Sequence, residues 1–182
     1  TGTLAAYGRK GDVYRFYEIN PEVIDVAKRE FSFLGDSGAT VETVLGDARL
    51  AMEREAPQGY DVLVIDAFSS DSIPVHLITR EAMAVYLAHM KPAGVIAFHV
   101  TNRILHLAPV VKRIADEAKL NTALISDDAE DSELARTDWV LVTRDVSLLV
   151  RPGIEKFIGK IEEIPGLPVW TDDFNNLFQI LK

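Results

Sequence analysis

Three carboxylates each stand at the carboxyl end of an apolar or β-branched run. Glu18 closes VYRFYEI (13–19), Asp47 follows Thr40–Leu45 in a Gly46-Asp47-Ala48 turn, and Asp66 ends the run Tyr60–Ile65. A carboxylate matches two adjacent hydroxyls, because two O–H donors meet two acceptor oxygens, so Glu18 suits the ribose of a nucleoside. In a Gly-Asp-Ala turn the carboxylate can accept the exocyclic amine of adenine while the next backbone N–H meets a ring nitrogen, which suits Asp47 and Ala48. Asp66 opens a loop holding Ser69, Ser70, Asp71 and Pro74, and ligands of open α/β sheets bind outside the carboxyl ends of the strands. One such acid alone reads as a helix cap or turn former, whereas three in register at one sheet edge read as a ligand crevice. His76 and His99 can do acid–base chemistry, but a lone histidine near a strand end reads first as a hydrogen-bonded structural residue.

These acids need strands to carry them. Val13–Ile19 and Thr40–Leu45 read as strands, and the near-continuous apolar run Tyr60–Ile65 reads as a strand buried on both faces of a parallel sheet. Pro21 at a first helical position, followed by Val23, Ala27, Phe31 and Leu34, predicts a helix with Asp25 and Arg29 paired on its outer face. Further helices are expected over Ala48–Glu55, Thr79–Lys91 and 107–118, the second with Met83, Tyr86, Leu87 and Met90 on its core face. Pro92-Ala93-Gly94 reads as a turn into the strand GVIAFHV, and strands follow at Thr122–Ile125 and Trp139–Thr143. The spacing of Ile154, Phe157, Ile158 and Ile161 predicts one more helix, and FNNLFQIL (174–181) a last one capped by Asp172 or Asp173.

Alternating strands and helices joined by short crossovers predict a doubly wound α/β sheet, mostly parallel, with the last two strands pairing antiparallel at an edge. Thr1, Gly2 and Thr3 look like the tail of a glycine-rich turn whose strand would lie upstream. We expect the chain to be one domain over residues 1–182, the downstream part of a longer parent.

The 182 residues are 48% hydrophobic, enough for a substantial core, and contain no apolar run of membrane-spanning length. The 28 acidic side chains against 19 basic give a net charge of −9, which repels phosphate backbones, points away from nucleic acid and favours a cationic small molecule. The segment DDAEDSELARTD (127–138) reads as a solvated loop or as an acidic rim that draws in a polyamine. Zero cysteines remove disulfides, thiolate metal sites and a cysteine nucleophile, and fit a reducing, cytoplasmic setting.

In order, YEINPEVIDVAKREF, VLGDA and YDVLVIDAFSSDSIPVHL resemble the spermidine synthases, the polyamine aminopropyltransferases, and more closely their relatives fused to membrane segments. The similarity runs from the Gly-Thr start through TDDFNNLF. It implies a class I methyltransferase-like Rossmann fold that binds decarboxylated S-adenosylmethionine, needs no metal and acts on a polyamine such as putrescine. Family roles would put Glu18 on the ribose and Asp47 and Ala48 on adenine, with Gly2, Ile19 and Asp66 also in the donor site. Asp66, Asp71 and Asp172 would meet the amine, and Asp66 and Asp71 would do the catalytic work.

An alkylamine with a pKa of about 10 arrives protonated, so Asp66 would take its proton while Asp71 orients it. The resemblance also implies a homodimer, part of whose surface lies outside this chain, and a parent anchored in a membrane that this chain does not itself touch. Where the family carries a tyrosine-bearing segment after its fifth strand, this sequence has His99, Asn102 and Arg103. Two other readings stand beside it. One is a methyltransferase using S-adenosylmethionine itself, since the same ribose and adenine acids serve both donors. The other is a non-catalytic sensor that kept the fold without the substrate pocket.

Overall fold

The computed structural model describes residues 2–67, 74–127 and 136–182. Asp71, with Ser69 and Ser70, lies outside the described residues, as does the acidic segment from 128 to 135. The chain divides into two compact units, Thr1–Ala56 and Pro57–Lys182.

The first unit holds a 3-10 helix (Thr3–Tyr7), β1 (Val13–Glu18), α1 (Pro21–Glu30), β2 (Thr40–Leu45) and α2 (Ala48–Arg54). Parallel strands need a crossover. α1 supplies it, and β1 pairs with β2 in register from Val13↔Thr40 to Glu18↔Leu45. α1 begins where the Asn20 side chain accepts the Glu22 N–H at 2.9 Å with Pro21 at the first helical position. It ends sooner than its apolar spacing suggests. Ile24 and Ala27 are the buried residues, while Phe31 leaves the helix in an extended conformation and is 54% exposed, stacked on Phe33. Arg29 pairs with Glu30, not with the expected Asp25.

On the small sheet Arg15 reaches both Glu42 and Glu55, and the Tyr17 hydroxyl donates to the other Glu55 oxygen at 2.7 Å. Glu55 is the main cause that holds the Arg15 guanidinium above its ordinary value. The cluster ties both strands to the end of α2.

The second unit carries β3 (Tyr60–Ile65), a 3-10 turn (Val75–Leu77), α3 (Arg80–His89), β4 (Met90–His99), α4 (Ala108–Glu117), β5 (Asn121–Asp127) and β6 (Thr137–Thr143). Short helices α5 (Val146–Leu149) and α6 (Pro152–Glu155), β7 (Ile158–Gly159) and a 3-10 turn (Leu177–Ile180) complete it. The sheet order is β3-β4-β6-β5-β7. β3 and β4 are parallel, and β6 runs antiparallel between β4 and β5, so the antiparallel pairing of the last two expected strands is present. The sheet is mixed, as expected.

β3 is an edge strand of this sheet, and that limits its burial. Leu63 and Ile65 are buried, but Val62 is 57% exposed. Val110, Val111, Ile114 and Ala115 of α4 are buried, as are Ala82, Met83 and Tyr86 of α3. The Tyr86 hydroxyl donates to the Leu77 carbonyl at 3.0 Å, which satisfies a polar atom that would otherwise be costly at full burial.

Three expectations give way. Pro92 lies within β4, whose ladder passes from Tyr60↔Met90 to Val62↔Val95 through a register shift; such an irregularity absorbs the donor that proline lacks. The run Ile154–Ile161 is not one helix. α6 stops at Glu155, and Ile158–Gly159 becomes β7 against the edge of β5, where open backbone groups are satisfied by a partner strand. The final expected helix is a single 3-10 turn capped by Asn176, which accepts the Phe178 N–H at 3.0 Å. The chain end straps the loop after β4: His106 N–H donates to the Ile180 carbonyl and Lys182 N–H to that of Ile104. Among the described residues no helix is long and apolar enough to cross a membrane.

Candidate functional site

In the first unit, parallel pairing of β1 with β2 brings Glu18 beside the turn that carries Asp47. The Gly46 N–H donates to the Glu18 carbonyl at 2.9 Å, and Gly46 takes φ +143°, a conformation that disfavours any side chain. Glu18 Oε1 accepts the Asn20 N–H at 3.0 Å. Asp47 Oδ1 accepts the Leu50 N–H at 2.9 Å and so caps α2. Each carboxylate therefore makes a local turn or cap bond, the structural role its position suggested. Ile19, 69% exposed beside Glu18, offers apolar surface. Two fixed carboxylates beside an exposed apolar side chain at one sheet edge offer acceptors for hydroxyl or amine donors of a ligand. Gly2 begins the 3-10 helix with φ +100° and packs on Leu34; a Cβ built there would come within 2.7 Å of Leu34 Cδ2.

In the second unit, Asp66 and His99 are each the residue that follows the matched pair Ile65↔Phe98. His99 Nδ1 lies 2.8 Å from Asp66 Oδ1. The Asp66 side chain is 54% exposed and that of His99 22%. Across the sheet His99 pairs with Trp139, and the two rings stack with centroids 4.7 Å apart and planes 24° from parallel. His99 Nε2 lies 2.8 Å from Thr101 Oγ1, which accepts the Asp138 N–H at 2.7 Å. Near the pair, Ile65, Leu77, Phe98 and Val111 line an apolar cavity of about 10 Å³ that also borders His99. That is room for one water at most.

Asn102, three residues after His99, is buried and bonds locally: its Oδ1 accepts the N–H groups of Ile104 and Leu105. Asp172 is tied to the start of α3. Its Oδ1 accepts the Thr79 hydroxyl at 2.8 Å, and its own N–H donates to Glu81 Oε2 at 3.0 Å. Burial pushes the Glu81 carboxyl up, but its own backbone N–H, Arg80 and the Asp172 amide outweigh that and hold it below its ordinary value. A lowered folded-state value makes the contact fully effective above the unfolded glutamate value of about 4.3, and the contact is lost as pH falls through the folded value. Hydrogen exchange at Asp172, corrected for its intrinsic rate, is therefore expected to accelerate on going from about pH 6 to about pH 3. An unchanged corrected rate would remove Glu81 as the clasp.

No family model matches the chain. Its sequence is 37% identical over 81 residues to the polyamine aminopropyltransferase of Vibrio vulnificus, a match covering 43% of this chain and 26% of that protein. Its structure matches the spermidine synthase of Thermotoga maritima with a TM-score of 0.55 at 15% identity, over 82% of this chain and 52% of the other. The chain is spermidine synthase-like. A probable spermidine synthase of Corynebacterium glutamicum matches with a TM-score of 0.56 at 18% identity, over 71% of this chain and 46% of that one. At these identities the structural likeness concerns the fold, which is of the methyltransferase-like Rossmann kind. This spermidine synthase-like chain spans about half the length of the solved structures it matches.

The sequence offers His99 as an acid–base candidate but does not name its partner. His99 reads as a lone histidine until β4 is set beside β3. The available signal was that Asp66 and His99 each stand one residue past the apolar run of their own strand, so parallel pairing of those strands in matching register makes them neighbours.

Proposed function

We propose that this domain transfers an aminopropyl group from decarboxylated S-adenosylmethionine to a polyamine such as putrescine. The observation that carries the reading is Asp66, an exposed carboxylate braced from one side by His99 at the end of β3, in a chain similar to a polyamine aminopropyltransferase.

The chemistry asks little more of the protein. The ammonium of the acceptor pairs with Asp66 and gives up its proton there. The neutral amine then attacks the propyl carbon bonded to the sulfonium; a C–N bond forms, the C–S bond breaks, and its electron pair returns to sulfur as methylthioadenosine leaves. The protein's part is to hold the donor and take the proton. Glu18, Asp47, Ala48 and Ile19 are assigned to the nucleoside, with Gly2 and Asp66 completing the donor contacts. Asp71 and Asp172 are assigned with Asp66 to the amine, Asp71 as the second catalytic carboxylate. We assign the domain to the cytoplasm. In Asp172 this role competes with its bond to Thr79.

Calorimetric titration tests the donor site. Decarboxylated S-adenosylmethionine is expected to bind more tightly than S-adenosylmethionine, and Glu18→Ala to weaken it by about 10- to 100-fold, the worth of a hydrogen bond to a charged group. Preference for S-adenosylmethionine would favour methyl transfer instead, and binding of neither would remove both enzymatic readings.

A further inference from the structure

His99 is the one side chain among the described residues that bonds Asp66. We infer that His99 is a positioning residue, which aims Asp66 at the acceptor amine by donating Nδ1–H to one carboxylate oxygen and leaving the other for the ammonium. The inference rests on the aminopropyl-transfer reading for its consequence, but its geometry stands on this structure alone.

Hydrogen-bond polarity fixes the direction. A carboxylate only accepts, so Nδ1 must carry the proton. In the neutral ring Nε2 is then the acceptor. Thr101 supplies the matching donor: its oxygen already accepts the Asp138 N–H at 2.7 Å, and its hydroxyl lies 2.8 Å from Nε2 against 3.5 Å from the alternative, the Asp138 carbonyl. The resulting chain runs Asp138 N–H to Thr101, Thr101 O–H to His99 Nε2, and His99 Nδ1–H to Asp66.

Each link is anchored. Asp138 lies in β6 and pairs with Ser126 of β5, while the stack on Trp139 fixes the plane of the imidazole. Asp66 itself stands at the end of an edge strand with its side chain 54% exposed, so without His99 it would sample several rotamers. A base whose carboxylate strays by an ångström can lose about a hundredfold in rate. The arrangement is the orienting logic of a hydrogen-bonded histidine and acid, with the acid as the group that meets the substrate.

Two readouts on the whole chain test this. Imidazole nitrogen NMR of the 15N-labelled protein, with the His99 signals identified by their loss in His99→Asn, is expected to show a neutral Nδ1–H tautomer that shifts in Asp66→Ala. Finding Nε2–H in the wild type, or signals unmoved by Asp66→Ala, would overturn the inference.

Turnover of putrescine is expected to fall about 10- to 100-fold in His99→Leu and to recover in His99→Asn, whose amide N–H can stand in for Nδ1–H. Asparagine no better than leucine would overturn the positioning role even if both variants fold. A wild-type chain without turnover counts against aminopropyl transfer only, and the NMR result then decides the inference, since it needs no substrate.

Discussion

Asp66→Asn is expected to lower turnover of a polyamine acceptor by about 10²- to 10⁴-fold, the range for loss of a general acid–base group. Asparagine keeps the shape of the side chain, and its carbonyl can still accept from His99 Nδ1 at the 2.8 Å now spanned by the carboxylate. In the proposed reaction it loses the charge that would hold the ammonium and the basicity that would remove its proton. The drop should therefore appear in kcat as well as in KM for the amine, measured at saturating donor. A variant within a few-fold of wild type would move the proton acceptor to another residue, with Asp71 the first candidate.

Trp170→Ala is expected to cost about 3–5 kcal/mol of stability, the range for emptying a large aromatic site in a core. Trp170 is fully buried, and its carbonyl accepts the Arg80 N–H at the start of α3. The residue thus holds the segment that carries Asp172 against the helix that Thr79 caps. Trp170→Phe should cost much less: the indole Nε1 has no hydrogen-bond partner among the described residues, so removing it forfeits no bond. Chemical denaturation with both variants measures the difference, and equal losses would mean that the indole N–H is satisfied in solution.

The same contrast between local and remote causes explains what was legible in the sequence. β1, β2 and β3 declare themselves because β-branched and apolar runs are bounded by Gly, Pro, Asn or Asp, and α1 because Asn20 and Pro21 are a local start signal. Misread segments answer to partners distant in the chain. Ile158 has helical spacing with Ile154, yet the open edge of β5 recruits it as β7. Asp172 sits where a cap for the last turn would be, but Thr79 and Glu81, some ninety positions earlier, take it.

The candidate residues of the two units show both behaviours. Glu18 and Asp47 could be located because Glu18 ends β1 and Asp47 caps α2 just after β2, whereas the pairing of Asp66 with His99 depends on the register of β3 against β4 and the stack on Trp139 on that of β4 against β6. Register is a tertiary quantity, and neither strand encodes it alone.

The most direct test of the central claim is product analysis by mass spectrometry after incubating the chain with decarboxylated S-adenosylmethionine and putrescine. Aminopropyl transfer predicts spermidine and methylthioadenosine in equal amounts, both lost together in Asp66→Asn. Absence of both from the wild-type reaction, or a methylated product formed with S-adenosylmethionine in their place, would contradict it.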